Sequence, residues 1–353
     1  MYNLFFDNVI FSLQKAGGIS VVWKELLSSI IADEECCVNF IEYEDANSNI
    51  FRKTLDIPSS NVIVANDKFL KLSRYLNPYI GSESPFIFHS SYFRTSNNKN
   101  AINITTVHDF TYEYFMSGLR RKVHSWQKFR AIRNSDVIVC ISENTKKDVL
   151  KFLPEIPENK IRVIYNGVSD DYKIISTSKY SELGDFVLFV GSRQPYKNFY
   201  FTVEALKRSH FKLVIVGSPL SHSEQTFIEN ALGQNMYVMM PFLSNEELNE
   251  LYNAAYCFVY PSLYEGFGIP ILEAQRAGCP VIAFSGSSVL EVIGETPLLL
   301  NSVSDTEFLN KLDLLKSSTL KKEIIEAGLE NSSRFSWEKM GKEYINLYKS
   351  IWK

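Results

Sequence analysis

Two carboxylates, Glu265 and Glu273, stand with seven residues between them in the run PSLYEGFGIPILEAQRAGCPVIA from Pro261 to Ala283. Gly266 and Gly268 flank Phe267 after the first of them, and Pro270 sits where a first-turn proline would open a helix carrying Ile271, Leu272 and Glu273. Glycine lets backbone come close to a ligand, and a helix start turns unpaired N–H groups toward oxygen-rich or anionic molecules. A second group of this kind is Gly191-Ser192-Arg193-Gln194-Pro195-Tyr196-Lys197-Asn198, in which Arg193 and Lys197 would flank another helix start. Fixed cations in that position stabilise negative charge gathering on a departing phosphate more than they stabilise the ground state. An exposed basic loop serving only solvent is the alternative for two charges alone.

Such residues act only if elements hold them at one edge. Cys257 to Tyr260 is expected as a buried strand before the glutamate turn, and Gly278-Cys279-Pro280 stops the helix before another strand, Val281 to Phe284. A unit of that sort puts the turn at the carboxyl edge of a parallel sheet, where open α/β sheets bind ligands. Asp185 to Gly191, Lys212 to Gly217 and Met236 to Met240 supply further strands of the same domain. Tyr2 to Phe6, Val38 to Tyr43, Asn61 to Ala65, Pro85 to His89, Ile102 to Val107 and Val137 to Ser142 supply a preceding one. Alternation of these strands with amphipathic segments predicts doubly wound α/β domains, and the polar stretch Ser169 to Gly184 predicts a linker between them. In the preceding domain Gly17-Gly18-Ile19 follows the first strand and opens a helix near Ser20, while His108-Asp109 ends the strand Ile102 to Val107. A plain loop and a helix-capping aspartate are the structural alternatives there.

Composition limits the function classes. The 353 residues, 45% hydrophobic, suffice for two cores, and a net charge of −3 offers no overall attraction to nucleic acid. Cys36, Cys37, Cys140, Cys257 and Cys279 form no CxxC pair and are expected as reduced thiols of a cytoplasmic protein. The opening MYNLFFDNVIFSL lacks a basic n-region and a small-residue cleavage site, and no apolar stretch approaches the roughly 20 residues of a membrane span. The expectation is a soluble protein or one peripheral at the inner face of the cytoplasmic membrane.

On the glutamate run the chain resembles the retaining GT-B glycosyltransferases of family 4, also called glycosyl transferases group 1, whose signature is two glutamates separated by seven residues. The resemblance continues through the glycine loop at Gly17, DVIVCISENTK from Asp136 to Lys146, Tyr165-Asn166-Gly167-Val168, and Arg334-Phe335-Ser336-Trp337. It implies an α/β GT-B fold of two Rossmann-like doubly wound parallel-sheet domains facing a central cleft. Residues 1–168 would form the acceptor-side domain, 169–184 the linker, 185–336 the nucleotide-sugar domain, and 337–353 a helix crossing back to the first domain.

The same resemblance assigns roles. Glu273 would hold the ribose hydroxyls and Glu265 would lie near the donor hexose, with Gly266, Phe267 and Gly268 contacting the sugar through backbone amides. Gly17 and Gly18 would face the donor phosphates or the acceptor, Arg193 and Lys197 the diphosphate, and His108 would position the substrate with support from Asp109. The implied reaction moves a hexosyl group, mannosyl among the candidates, from a GDP- or UDP-linked sugar to a hydroxyl of a glycan or lipid-linked oligosaccharide, with retention. Bacterial surface-polysaccharide mannosyl- and hexosyltransferases are the members it resembles, and O-antigen, capsule or lipopolysaccharide synthesis is the pathway expected. No two aspartates are separated by one residue, so no metal and no cofactor are expected. A nucleotide-sugar epimerase, which would consume no acceptor, and a non-catalytic sugar-nucleotide-binding protein stay open as alternatives.

Leu119 to Arg133, LRRKVHSWQKFRAIR, bears on the acceptor. Arg120, Arg121, Lys122, Trp126, Lys128 and Arg130 on one helix form a candidate contact with an anionic membrane surface. A solvated helix with its aromatics in the core fits the same pattern.

Overall fold

The computed structural model describes residues 1–65 and 70–352 and divides into two compact units. Met1–Gly167 together with Trp337–Lys353 form the first, and Val168–Ser336 the second. Lys353, inside the expected 337–353 segment, lies outside the described residues.

The first unit is a seven-stranded parallel sheet in the order β3-β2-β1-β4-β5-β6-β7. Its strands are β1 (Tyr2–Asp7), β2 (Cys36–Tyr43), β3 (Val62–Ala65), β4 (Phe86–Ser90), β5 (Ala101–Val107), β6 (Val137–Cys140) and β7 (Ile161–Val163). Sequences such as VIVC and FIFHS are buried throughout, as strands covered on both faces must be. The strand order reverses between β1 and β4, which makes the ends of those strands the switch point of the sheet. The last helix, Trp337–Ile351, is tied to this sheet by buried hydroxyls. Tyr348 Oη lies 2.7 Å from His89 Nδ1, Tyr344 Oη 3.0 Å from Thr106 Oγ1, and His89 Nε2 2.9 Å from the same threonine. Burial pushes the His89 pKa down to about 3, so this staple is a neutral one.

The second unit is a six-stranded parallel sheet in the order β10-β9-β8-β11-β12-β13. It comprises β8 (Phe186–Val190), β9 (Lys212–Val216), β10 (Tyr237–Met240), β11 (Cys257–Tyr260), β12 (Val281–Phe284) and β13 (Leu299–Leu300). Val187, Phe189, Leu213, Ile215, Cys257 and Val259 build its core with Phe199, Val203 and Leu206 of the helix Phe199–Leu206. Pairing of β8 with β11 brings the loop at Gly191 and the glutamate turn beside each other, although they are far apart in sequence. Residues 169–184, expected as a linker, run along the helix Asn245–Ala254. The backbone N–H groups of Lys173 and Ile175 donate to Asn249 and Asn253 at 2.9 Å, and Ser178 Oγ donates to the Glu250 carbonyl at 2.8 Å.

The edge strands β7 and β13 are absent from the expected set. At three and two residues they are too short to display a period, and only their pairing to β6 and β12 defines them.

Candidate active site

In the second unit the glutamate turn leaves β11 at Tyr260 and opens the helix Ile269–Arg276, with Pro270 in its first turn. Gly268 caps that helix at φ 118°, so glycine is favoured by conformation, and a Cβ there would sit 3.2 Å from Ile271 Cδ1, which would have to give by a few tenths of an ångström. Phe267 is buried edge-on to Phe335, ring centroids 5.7 Å apart, and anchors the turn by its side chain. Two serines fix the turn's backbone. The Glu265 N–H donates to Ser287 Oγ at 2.9 Å, and Ser288 Oγ lies 2.8 Å from the carbonyl oxygens of both Glu265 and Phe267. The SGSS segment from Ser285, whose hydroxyls would suit a phosphate or an ordinary helix cap, thus staples the turn.

The loop after β8 meets this turn. Leu263 N–H donates to the Tyr196 carbonyl at 2.8 Å, and Lys197 Nζ lies 2.5 Å from Glu265 Oε1. That pair keeps some access to solvent, 19% and 13% of the two side chains, so its remaining protons and lone pairs are reachable by a ligand. Tyr260 bonds to Glu265 and also faces Glu273, and burial together with both carboxylates drives its phenol well above its ordinary pKa. The structure therefore brings Lys197, Glu265, Tyr260 and Glu273 together around one turn.

Glu273 is partly buried on the helix, where Tyr252 donates to its Oε2 at 3.3 Å and Tyr172 bonds to it as well. Desolvation raises its pKa to about 7, with the two phenols pulling the other way. A carboxylate poised there ionises readily once hydroxyl donors arrive.

Arg193 is engaged elsewhere. Its Nε donates to Glu224 Oε1 at 2.7 Å, its Nη2 to Glu224 Oε2 and the Pro219 carbonyl, and its Nη1 to the Ser218 carbonyl at 2.9 Å. Glu224 meanwhile closes a capping box with Ser221, and Arg193 holds its carboxyl down to about 2. Arg193 thus ties the β8 loop to the loop after β9 and to a helix start, with most of its N–H groups committed to Glu224 and two carbonyls. The Ser-His-Ser-Glu spacing at Ser221 is a capping-box signature, a signal by which Glu224 could have been found in the sequence.

In the first unit Gly17 and Gly18 open the helix Gly18–Ile31, and Ser20 Oγ donates to the Gly17 carbonyl at 2.9 Å. A Cβ on Gly17 would strike the Gln14 amide, whereas one on Gly18 would meet nothing within 4 Å. His108 follows β5, and burial with the nearby Lys128 charge lowers its pKa to about 4, leaving a neutral imidazole able to bond a hydroxyl. Asp109 Oδ1 accepts from Thr111 N–H at 2.9 Å, at the start of the short helix Thr111–Phe115.

The basic helix Gly118–Arg133 departs from expectation. Lys128 and Glu113 form a buried ion pair at 2.7 Å with only 1% of either side chain exposed, and Lys128 Nζ also donates to the Asp109 carbonyl. Lys128 therefore cannot reach a membrane surface. A lone sequence hides this because its partner sits on a different helix, fifteen positions away. Arg130 is half-buried and donates to the Tyr75 carbonyl at 2.6 Å. Arg120, Arg121 and Trp126 remain on the outside of the helix with Lys122. No helix among the described residues is long and apolar enough to cross a membrane. A cavity of about 760 Å³ over β1 to β3 contains none of the predicted site residues.

Residues 173–331 match the family model described as glycosyl transferases group 1, and residues 55–172 that of glycosyltransferase family 4. O-antigen chain mannosyltransferase B of Escherichia coli is 25% identical over 270 residues, 70% of each chain. A serotype-specific mannosyltransferase of the same species is 26% identical over 60% of this chain, which spans 28% of that relative's length. Among solved structures, Anabaena HepE, crystallised with UDP and glucose, superposes with a TM-score of 0.74 at 18% identity, over 99% of this chain and 100% of the other. At that identity the likeness is one of fold.

Proposed function

The chain belongs to the group 1, family 4 glycosyltransferases of GT-B fold, and from that membership we propose that it transfers a mannosyl or related hexosyl group, with retention, from a GDP- or UDP-linked donor to a glycan or lipid-linked acceptor in surface-polysaccharide synthesis. The observation that carries this reading is the Lys197–Glu265 pair held over a serine-stapled glycine turn, with Glu273 on the helix that the turn opens. The mannosyltransferase relative supports the donor sugar and the pathway, and the UDP-bound structural neighbour supports a uridine alternative.

In the proposed reaction the bond from the anomeric carbon to the diphosphate oxygen breaks and a bond to the acceptor oxygen forms. The acceptor's proton passes to the departing phosphate on the same face. Lys197 offers its remaining N–H groups to the leaving phosphate, with Arg193 as a lesser contact because most of its donors are engaged. Glu273 accepts from the ribose diol and Glu265 orients the hexose. These charges and amides would do the work of a bridging metal, so the proposed reaction needs neither metal nor cofactor. Neutral His108, Gly17 and Gly18 bind substrate from the first unit, and Arg120, Arg121, Lys122 and Trp126 provide the proposed contact with anionic lipid.

A thermal-shift series with UDP, GDP, ADP and dTDP tests the donor, because a ligand binding only the native state raises its stability by mass action. One nucleoside diphosphate is expected to raise the midpoint, with the rise lost in Glu273→Ala. Proton NMR of product made from the matching nucleotide sugar then reads the anomeric configuration. No shift with any nucleotide, or an inverted product, overturns the corresponding part of the proposal.

A further inference from the structure

At the carboxyl ends of β4 and β5 the first unit contains a second cavity, about 480 Å³, whose walls include Arg74, Tyr75, Tyr92, Tyr112, Arg120 and His124. Its cations are fixed by aromatic faces rather than by carboxylates. The Arg74 guanidinium lies 4.9 Å from the Tyr75 ring centroid and 5.4 Å from that of Tyr92, and the Arg120 guanidinium lies 5.7 Å from that of Tyr112. Tyr112 in turn stacks on His124, centroids 3.8 Å apart and planes 12° from parallel. Rings that occupy the faces of a guanidinium leave its N–H edge for other partners.

Two polar atoms there, Arg74 Nε and His124 Nδ1, are buried and have no hydrogen-bond partner among the described residues. Buried polar groups are nearly always satisfied, and a pair left open in one cavity marks a place where a ligand supplies the missing atoms. The backbone of Arg74 is fixed by its carbonyl, which accepts from Gln127 Nε2 at 2.7 Å. No carboxylate among the described residues lines the cavity, and Lys128 beside it is neutralised by Glu113. The Asp109 carboxylate lies within electrostatic reach of His124 and Tyr92 and offsets part of the charge of Arg74 and Arg120, which leaves the lining cationic. Two guanidinium groups beside an imidazole match a tetrahedral oxyanion flanked by a sugar or apolar group.

We propose that this cavity binds a phosphate ester carried by the acceptor, so that the enzyme selects phosphorylated or phosphate-linked saccharides over neutral ones. The proposal rests on the glycosyl-transfer reading above and adds the acceptor's chemical class. A soluble sugar phosphate and a polyprenyl-phosphate-linked saccharide present the same group.

The test is calorimetric titration of the full-length chain with inorganic pyrophosphate, in wild type, in Lys197→Ala, and in Lys197→Ala combined with Arg74→Gln or Arg120→Gln. The binding that persists in Lys197→Ala, where the proposed donor-diphosphate contact is removed, is expected to weaken about tenfold when either arginine is also replaced, since one charge-assisted contact is lost with each. Arg120 is exposed on a helix surface, so its variant keeps the test valid if Arg74→Gln fails to fold. Affinity unchanged from Lys197→Ala in a folded double variant, absence of saturable binding to wild type, or loss of binding in Lys197→Ala overturns the proposal. Retention of the nucleotide thermal shift in Arg120→Gln separates failure here from failure of the donor assignment. Co-sedimentation with phosphatidylcholine vesicles with and without a polyprenyl phosphate, set against titration with mannose 1-phosphate, identifies the source. Equal sedimentation with both vesicles and no binding of the sugar phosphate also overturns it.

Discussion

The carboxyl edges of the two sheets use charge in opposite ways. In the first unit Asp7, at the end of β1, takes Arg94 Nε at 2.8 Å and Nη2 at 2.7 Å, with 0% and 2% of the two side chains exposed. Ser90 donates to the same aspartate at 2.7 Å, and Tyr43 bonds to both partners. Lys128 and Glu113 are shut away likewise. In the second unit Lys197 and Glu265 meet at a surface they still share with solvent. Closed pairs fix the fold, because a buried charge without its partner is costly, whereas an open pair can trade contacts with a ligand at little cost.

That contrast is broken most directly by deleting one charge at each edge. Asp7→Ala leaves Arg94 buried and unpaired and is expected to cost about 3–5 kcal/mol, read from the urea midpoint. Lys197→Ala is expected to lower turnover roughly 10²- to 10³-fold, the scale of losing one preorganised transition-state contact, while costing less stability than Asp7→Ala because Glu265 keeps contact with solvent. Equal stability losses at the two sites would erase the distinction, and near-normal turnover in Lys197→Ala would remove its phosphate role.

The difference also explains what a single sequence discloses. Glu265, Gly268 and Glu273 share one turn and helix, and Arg193 and Lys197 share one loop, so each group is visible as a local pattern. The parallel sheets were visible for the same reason, since buried strands such as FVLFV and KLVIV announce themselves. The convergence of Lys197 on Glu265 was not, because it depends on β8 pairing with β11. Nor was the Asp7 cluster, assembled from the ends of β1 and β2, from Ser90 of β4 and from Arg94 beyond it, the ion-paired partners standing 87 positions apart. Arg193 shows the limit of residue type. It has the charge for a phosphate, yet Glu224 and two carbonyls hold most of its donors.

A smaller effect belongs to the open edge alone. The Glu273 pKa, raised to about 7, means that the folded chain holds a proton the unfolded chain has released between its ordinary value of 4.5 and 7. Its contribution to stability is therefore full below pH 4.5 and is lost as pH rises through 7. Ribose hydroxyls donate to the ionised form, so nucleotide affinity is expected to rise through pH 7, and Glu273→Gln to flatten that profile and weaken binding about tenfold. A profile with the same slope in the variant would place the titration elsewhere.

The two glycine turns supply the finest distinction. Gly268 holds φ 118°, a backbone region that costs an L side chain roughly 1–2 kcal/mol, and an added methyl would press on the end of Ile271, which can give slightly. Gly268→Ala should therefore lose about 1–2 kcal/mol in thermal or urea unfolding. Gly18 sits in the first helical turn with open space where a methyl would go and no positive φ, so Gly18→Ala should stay within about 0.5 kcal/mol of wild type. If Gly18→Ala nonetheless lowers turnover or substrate affinity, the methyl is colliding with a ligand rather than with the protein. If it changes neither, the glycine loop of the first unit serves only to start its helix, and substrate contact there falls to His108.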